Sequence, residues 1–359
     1  MGRRIKWFIL LPVIYCMNVH SQTVIGKVYD KATGEPVFNA LVYLNGSSYF
    51  TVTDDKGAFR LKVANTINTQ LIINHIVYET VTIDNPFEKD SIEVYLTEKT
   101  YTLDEVAVKT GPFSLKEKMK AFEQQFLGDN KAGRSCVIQN KEEINLYFDE
   151  ADRTLYATCY EPLIVINNYL GYKMNFTLTD FQVRYTTKSL RTGQIEYVVM
   201  RGNVFFEDIA PFNPLTKKRR SDAYKSSLNY FFKNLANRTL ESSNHVIYNH
   251  RNMIMMHDVQ QAVPDSYFYI TDAGSQKKVS IIDRSNINKI TNNMYKFPMP
   301  VTGVITVADP AGNRSELIFL TDEFNVDPFG LVDKKDCIYV TGSISAQRAG
   351  NMVPVDYDF

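Results

Sequence analysis

The chain has 359 residues, enough for about two domains, and its 40 Lys and Arg residues balance 40 Asp and Glu residues. This neutral balance argues against a dedicated nucleic-acid binder, which carries a basic excess. Apolar residues make up 44% of the chain and charged residues 22%, which excludes disordered and collagen-like proteins, while 22 Tyr and 22 Phe beside abundant Val, Ile and Thr favour β structure.

Residues 1–21 have the layout of a secretory signal peptide. A basic start is followed by a short apolar run, residues 7–17, and by the small residue Ser21. The run is far shorter than the ~20 residues that cross a bilayer, so we expect cleavage after Ser21 and no transmembrane span in the mature chain. Cys16 raises lipidation as a minority alternative, because Tyr15 stands where a small residue normally precedes a lipid-modified cysteine.

Cleavage predicts an exported protein of the periplasm, the outer membrane or the cell surface. It removes three basic residues and the single Trp, Trp7, and leaves 37 positive and 40 negative side chains, a net charge of −3. The remaining cysteines, Cys136, Cys159 and Cys337, are odd in number and form no C-x-x-C motif. Two alternatives remain for these residues: a Cys136–Cys159 disulfide, or buried free thiols, which the sequence pattern favours at least as much.

Residues 22–98 predict a sandwich of about seven short strands. Short apolar segments are separated by turn signals such as Asn45-Gly46 and Asp54-Asp55-Lys56-Gly57. The carboxylates of Asp54 and Asp55 could bind calcium, but so few oxygen ligands favour a turn role instead. The predicted strands are residues 23–29, 37–44, 49–53, 58–63, 71–73, 81–83 and 92–96.

Four spaced motifs in this segment carry a resemblance to a known family. They are Ile25-Gly26-Lys27-Val28-Tyr29-Asp30, Thr33-Gly34-Glu35-Pro36-Val37, Ala40-Leu41-Val42-Tyr43-Leu44 and Thr53-Asp54-Asp55-Lys56-Gly57-Ala58-Phe59. In this order they resemble the carboxypeptidase-regulatory-like domain, which implies a Greek-key, prealbumin-like β-sandwich. The zinc peptidases behind that name carry His-x-x-Glu in a separate domain. This chain has no such motif, so the resemblance implies an accessory module.

Residues 99–113 are predicted to be a linker. Thr102-Leu103-Asp104-Glu105-Val106-Ala107-Val108 resembles the segment that follows this domain in outer-membrane receptors of the Bacteroidota. Only about 250 residues remain after it, too few for the barrel of such a receptor. The receptor interpretation is therefore rejected.

Residues 114–359 are predicted to form a larger, β-rich α+β domain with two amphipathic helices. The first helix begins at the capping box 114–117 and ends at Gly128, and the second starts near Ser221. The apolar stripes of the two helices are Leu115, Met119, Phe122, Phe126 and Tyr224, Leu228, Phe231, Leu235. The predicted strands are residues 144–148, 155–160, 172–178, 181–187, 195–200, 304–307, 317–320 and 338–341.

This second region also resembles a known group of sequences. The motifs include Cys136-Val137-Ile138-Gln139-Asn140, Leu170-Gly171-Tyr172, Gly202-Asn203-Val204-Phe205-Phe206 and Ala223-Tyr224-Lys225-Ser226-Ser227-Leu228. They resemble an uncharacterised Bacteroidota family that attaches this region to the same sandwich. The resemblance implies architecture and cell type, but no activity.

The run Lys217-Lys218-Arg219-Arg220 is the most basic segment after the leader. Four cations together could contact phosphate or lipid headgroups. In an exported protein with a net charge of −3 we expect a solvated loop instead.

Catalytic signatures are absent from the sequence. It contains no Gly-x-Ser-x-Gly, P-loop, Gly-x-Gly-x-x-Gly or His-Glu-x-x-His motif. The group His245, His250, His257 and Asp258 has spacings that do not stack ligands on one face of a helix or strand, so surface or half-buried histidines are favoured over a zinc site. The pairs Glu142-Glu143 and Glu207-Asp208 would suit glycoside hydrolysis only at the right separation. Exposed tyrosines could stack on sugars, although most are expected in the core or on strand faces.

We therefore assign no catalytic, cofactor-binding or metal-binding residue and expect no cofactor. The favoured hypothesis is an exported, non-catalytic binding or assembly module of the cell envelope that recognises a protein or glycan partner and no nucleic acid. The alternative is an unrecognised hydrolase with its site in residues 114–359. The oligomeric state stays open.

Overall fold

The computed structural model describes residues 22–64, 66–99, 111–249, 268–281, 301–334 and 337–357. Over these residues it contains twenty strands and four α-helices, and it confirms the predicted mainly β architecture of a sandwich followed by an α+β region. The predicted signal peptide and most of the predicted linker lie outside them. None of the helices in this part of the chain has the length and hydropathy needed to cross a bilayer.

The N-terminal unit is a β-sandwich of seven strands, as the sequence predicts. One sheet has the order β4-β1-β7 and the other the order β3-β2-β5-β6. Alternate residues point inward, so Val24 and Val28 of β1 share a closed core with Val42 and Ile73 of the second sheet. The strands are β1 (Gln22–Asp30), β2 (Leu41–Leu44), β3 (Phe50–Val52), β4 (Ala58–Val63), β5 (Leu71–Asn74), β6 (Val81–Ile83) and β7 (Ile92–Leu96).

The middle unit is a six-stranded antiparallel sheet with a helix on one face. Its order is β8-β11-β12-β10-β9, and β13 pairs with the other side of β12. Register shifts beside Leu178 and Asp180 mark an irregularity in the β12–β13 ladder. The two strands predicted at 172–178 and 181–187 are therefore one continuous strand with a bulge. The strands are β8 (Cys136–Ile138), β9 (Ile144–Asp149), β10 (Thr154–Cys159), β11 (Leu163–Asn167), β12 (Tyr172–Tyr185) and β13 (Ile195–Asp208).

Helix α1 (Leu115–Phe126) begins at the predicted capping box. The Ser114 hydroxyl accepts the Glu117 N–H, and the Glu117 carboxylate accepts the Ser114 N–H at 2.8 Å. Phe122 and Phe126 are fully buried against the sheet, whereas Leu115 is exposed. The predicted apolar stripe is therefore confirmed at Phe122 and Phe126, which face the core, and is wrong at Leu115, which does not. A short second helix, α2 (Lys131–Arg134), follows.

The third unit packs helix α4 against two small sheets. The sheet orders are β14-β17-β18-β20 and β15-β16-β19, and Phe232, Phe268 and Phe324 lie in their shared core. The single helix predicted from Ser221 is wrong, because α3 (Pro214–Lys225) begins earlier and α4 (Leu228–Ala236) has its own N-cap at Ser227. The strands are β14 (Val246–Asn249), β15 (Phe268–Ala273), β16 (Gln276–Ile281), β17 (Gly303–Ala308), β18 (Arg314–Phe319), β19 (Glu323–Val326) and β20 (Ile338–Gly342).

Residues 349–357 contact the sandwich, the middle unit and helix α3. The Gly350 N–H donates to the carbonyl of Leu127 at 3.0 Å, and its own carbonyl accepts the Asn167 side-chain amide at 2.9 Å. Further along, Val355 enters the core of the sandwich. The Tyr357 hydroxyl donates to the carbonyl of Lys217 in α3 at 3.4 Å. This segment therefore ties the sandwich to the rest of the chain.

Candidate binding surface

The sheet of the middle unit has one face in the core and one facing away from α1. Tyr172, Met174 and Phe176 of β12 point into the core, and the residues between them point to the outer face. Because β12 and β13 each have 14 residues, this outer face is long enough to have two halves with different neighbours.

The half at the start of β12 is covered by the N-terminal sandwich. Phe205 of β13 packs on Tyr43 with ring centroids 5.0 Å apart, and on Phe50 at 5.1 Å. Tyr43, Ile72 and Phe205 form a small buried cluster between the two units. Burial raises the pKa of the Tyr43 hydroxyl to about 12, and its hydrogen bond with Thr177 of β12 acts in the opposite direction.

The turn after β2 is hydrogen-bonded to the edge of β13. The Gly46 N–H donates to Val204 O at 2.7 Å, and the Phe206 N–H donates to Ser47 O at 3.0 Å. The Asn45 side chain accepts the Val204 N–H at 2.9 Å and donates to the Asn203 side chain at 3.0 Å. The predicted Asn-Gly turn therefore joins the sandwich to the middle sheet.

The other half of the outer face carries three tyrosines, which we call the tyrosine face: Tyr147 of β9, Tyr156 of β10 and Tyr197 of β13. Tyr147 and Tyr156 lie opposite each other across the β9–β10 pair, with ring centroids 6.2 Å apart and planes 17° apart. Tyr197 lies opposite Arg184 of β12. Tyr147 is 36% exposed and Tyr197 41% exposed.

Polar neighbours hold the two stacked tyrosines in place. The Tyr156 hydroxyl donates to Asp152 at 2.7 Å, and this hydrogen bond, followed by burial, raises the Tyr156 pKa. The Tyr147 hydroxyl donates to Asp149 at 3.1 Å. Each ring is anchored at its polar end, so its apolar face is held in a fixed orientation.

The β12 residues beside the tyrosines are polar. The Arg184 guanidinium lies 3.4 Å from the Glu196 carboxylate, and its hydrogen bond with Tyr197 raises the Arg184 pKa, against an opposite effect of burial. The Gln182 amide donates to Asp180 at 2.9 Å. The tyrosine face thus combines aromatic rings with guanidinium, amide and carboxylate groups, a donor and acceptor set suited to hydroxyl-rich ligands.

Glu207 and Asp208, one of the carboxylate pairs considered for hydrolysis, have separate cationic partners. Glu207 pairs with Lys173 at 3.0 Å, whereas Asp208 accepts two hydrogen bonds from Arg220, both at 2.7 Å. Successive strand residues point to opposite faces, so the two carboxylates diverge. Glu142 and Glu143 lie in a short turn before β9, with Glu142 exposed.

Of the histidine group, His245 alone belongs to the described part of the chain. It is buried, its Nδ1 lies 2.8 Å from the Ser243 hydroxyl, and the ring packs against Tyr230 and Phe231. Burial lowers its pKa to about 4. His250, His257 and Asp258 lie outside the described residues, as does most of the predicted linker.

The basic run is helical, so the prediction of a solvated loop is wrong. Lys217–Arg220 lie in α3, where Lys218 pairs with Asp222 at 2.9 Å. The Arg220 side chain is buried, and it donates to the Leu170 and Gly171 carbonyls as well as to Asp208. One of the four cations is therefore structural.

The remaining sequence alternatives can now be placed. Asp54 accepts the N–H groups of Lys56 at 2.9 Å and Ala58 at 2.8 Å, which is the turn role that the sequence favoured. Cys136 lies on β8 and Cys159 on β10, and both are free thiols.

Sequence reasoning did not single out the tyrosine face. Tyr147, Tyr156 and Tyr197 lie in three predicted strands, and the alternation of Tyr147 with the core residues Leu146 and Phe148 marks an outward position. The signal that would bring the three together is strand pairing, which single-strand patterns do not contain.

Comparisons with known proteins identify the N-terminal unit. Residues 24–108 match the family model of the CarboxypepD_reg-like domain, a non-catalytic β-sandwich module, which confirms the resemblance found in the sequence. No curated protein matches the chain. Among solved structures, a 9R-lipoxygenase from Cyanothece PCC8801 is 10% identical over 66% of this chain and 51% of the lipoxygenase, with a TM-score of 0.19. At that score the similarity carries no argument about fold or activity.

Proposed function

We propose that this protein is an exported, non-catalytic binding module of the bacterial cell envelope that holds a glycan on its tyrosine face. The observation that carries the proposal is the pair Tyr147 and Tyr156, which presents nearly parallel, anchored rings beside Tyr197 on an open sheet. Aromatic rings offer apolar faces to the C–H sides of sugar rings, while the neighbouring polar groups suit their hydroxyls.

The rigid attachment of the sandwich supports the same role. Four hydrogen bonds join the Asn45–Ser47 turn to β13, and Phe205 is buried against Tyr43. The sandwich thereby covers one half of the outer face and leaves the tyrosine face open. The signal-peptide pattern of residues 1–21 supports action in the periplasm, at the outer membrane or at the cell surface.

Binding to a panel of purified glycans tests this proposal. The panel contains peptidoglycan sacculi and neutral and acidic polysaccharides, and retention is measured by co-sedimentation or affinity electrophoresis. We expect the protein to bind at least one member. Tyr147→Ala and Tyr156→Ala should each weaken binding about tenfold, the loss of roughly 1.4 kcal/mol of stacking.

Two control variants separate stacking from other effects. Tyr147→Phe keeps the ring and should bind within about twofold of wild type. Tyr95→Ala removes an exposed tyrosine that stacks on Tyr29 in the sandwich, and it should bind normally. No retention of any glycan, or equal weakening by Tyr95→Ala, would contradict the glycan proposal. Release of new reducing ends during incubation would contradict its non-catalytic part.

A further inference from the structure

An exposed apolar segment, residues 209–215, lies between the end of β13 and the first turn of α3, and we call it the apolar tip. Phe212 is 95% exposed, Leu215 is 53% exposed and Ile209 is 48% exposed. All three lie within seven residues of sequence. An aromatic side chain this exposed buries almost none of its apolar area against the described part of the chain, so that burial adds little to stability.

The tip is held rigidly. Asp208, directly before it, accepts two hydrogen bonds at 2.7 Å from Arg220 of α3. The Asn213 side chain accepts the Leu215 N–H at 3.0 Å and so caps α3, and the Thr216 hydroxyl donates to Ala210 O at 3.2 Å. These bonds fix the loop, and its docking would not have to order the backbone.

Cations follow the apolar tip in α3. Residues 209–219 contain three basic and no acidic residues, and the side chains of Lys217 and Lys218 are exposed, with Lys218 beside its partner Asp222. Next to them, the Tyr169 ring has the Arg219 guanidinium 4.3 Å from its centroid and the exposed Lys131 ammonium at 5.7 Å. The positive charge therefore continues from α3 to α2.

We propose that this surface, residues 209–219 with Lys131, docks the protein on an anionic lipid surface. An apolar tip with an aromatic residue, flanked by Lys and Arg, matches both parts of a lipid interface: the side chains of Phe212 and Leu215 enter the acyl boundary while the cations contact the phosphates.

The surface is independent of the proposed glycan site. Tyr197 and Asp208 are 11 positions apart on β13, which at 3.3 Å per residue places them about 36 Å apart. Lipid at the end of β13 and glycan at its start can therefore bind together, and failure of one binding activity leaves the other measurable.

A single tryptophan placed in the tip tests the proposal. The single Trp of the chain, Trp7, lies in the predicted signal peptide, so Phe212→Trp in the mature chain, residues 22–359, is a local reporter. We expect its emission to shift to the blue with phosphatidylglycerol vesicles and to be quenched by brominated acyl chains, but to stay unchanged with phosphatidylcholine vesicles. Phe38→Trp in the same background is the matched control, since Phe38 is an exposed phenylalanine in the sandwich.

Charge variants complete the experiment. Lys217→Gln and Lys218→Gln should each weaken vesicle binding about fivefold, and raised salt should weaken it further. No change at position 212 with anionic vesicles, or equal changes at positions 38 and 212, would overturn the proposal. A third result would also overturn it: the emission at position 212 shifts with soluble envelope proteins but not with vesicles. The tip would then be a protein-docking site.

Discussion

The backbone N–H of Val355 donates to the carbonyl of Gly46 at 2.8 Å, although the two residues lie near opposite ends of the chain. The Val355 side chain enters the sandwich core, and the next residue, Asp356, accepts the Ser48 N–H at 2.8 Å. The N-terminal unit therefore completes its packing with a segment that lies about 300 residues further along the chain.

Val355→Ala should destabilise the protein. The substitution removes two buried methyl groups and leaves a cavity beside the sandwich core, at a cost of about 1–2 kcal/mol in the free energy of unfolding. Urea unfolding followed by tyrosine fluorescence measures it. Val52→Ala is the control, because Val52 is exposed and its loss should cost under about 0.5 kcal/mol. Equal effects of the two variants would show that the Val355 side chain does not contribute to the sandwich core.

Asn45→Ala should loosen the junction between the sandwich and the middle sheet. It removes the acceptor for the Val204 N–H and the donor to Asn203, at about 1–3 kcal/mol. Hydrogen exchange at the Val204 amide should become faster. Asn45→Asp keeps the acceptor and should protect Val204 almost as well as the wild type; fast exchange in both variants would mean that this hydrogen bond does not form in solution.

Arg220→Lys should be destabilising although it conserves the charge. The guanidinium donates to both Asp208 oxygens, to Leu170 O at 2.6 Å and to Gly171 O at 2.8 Å, and it lies 4.0 Å from the Tyr172 ring centroid. An ammonium group cannot reproduce this planar fork, so we expect a loss of about 2–4 kcal/mol in thermal or urea unfolding.

Arg219→Lys is the matched control for Arg220→Lys. The Arg219 guanidinium makes one backbone hydrogen bond, to Tyr169 O at 3.3 Å, and its side chain is half-buried. The Arg219→Lys substitution should therefore lower the free energy of unfolding by less than about 1 kcal/mol. If Arg220→Lys were equally mild, the fork at Asp208 would not be what holds the loop before α3.

Local sequence patterns predict the local structure of this protein well and its pairings poorly. The Ser114 capping box and the Asn45-Gly46 turn appear as expected because each depends on a few neighbouring residues. The strand predicted from residue 37 starts at Leu41 instead, since Asn39 has a left-handed backbone with φ 59°. The tyrosine face depends on how β9, β10, β12 and β13 pair. The basic run differs from the expected solvated loop partly because the partner that buries Arg220, Asp208, lies on another element.

His245 should make stability fall as the pH drops below its ordinary pKa. Burial lowers the pKa from 6.5 to about 4, so between these values the unfolded chain binds a proton that the folded protein excludes. Above pH 6.5 this loss of stability is absent. As the pH falls to about 4 the free energy of unfolding decreases, by about 3 kcal/mol in total. Unfolding free energies measured from pH 7.5 to pH 4.5 give the slope.

His245→Phe isolates this contribution. The variant cannot titrate, so the difference in unfolding free energy between wild type and variant should change with pH, by up to about 1.4 kcal/mol per pH unit in this window. Every other titratable group is common to both proteins, so its contribution largely cancels in the difference. A difference that is constant from pH 7.5 to pH 4.5 would contradict a buried, neutral His245.

The thiols of Cys136 and Cys159 should react slowly in the folded protein and form no disulfide with each other. Burial raises the pKa of both thiols to about 12, with a smaller effect of Glu143 on Cys159, so almost no thiolate is present at neutral pH. Iodoacetamide followed by peptide mass spectrometry should show little alkylation of the two residues in the native protein and complete alkylation in denaturant without reductant. A mass for the linked Cys136 and Cys159 peptides under non-reducing conditions would instead show the disulfide that the sequence left open.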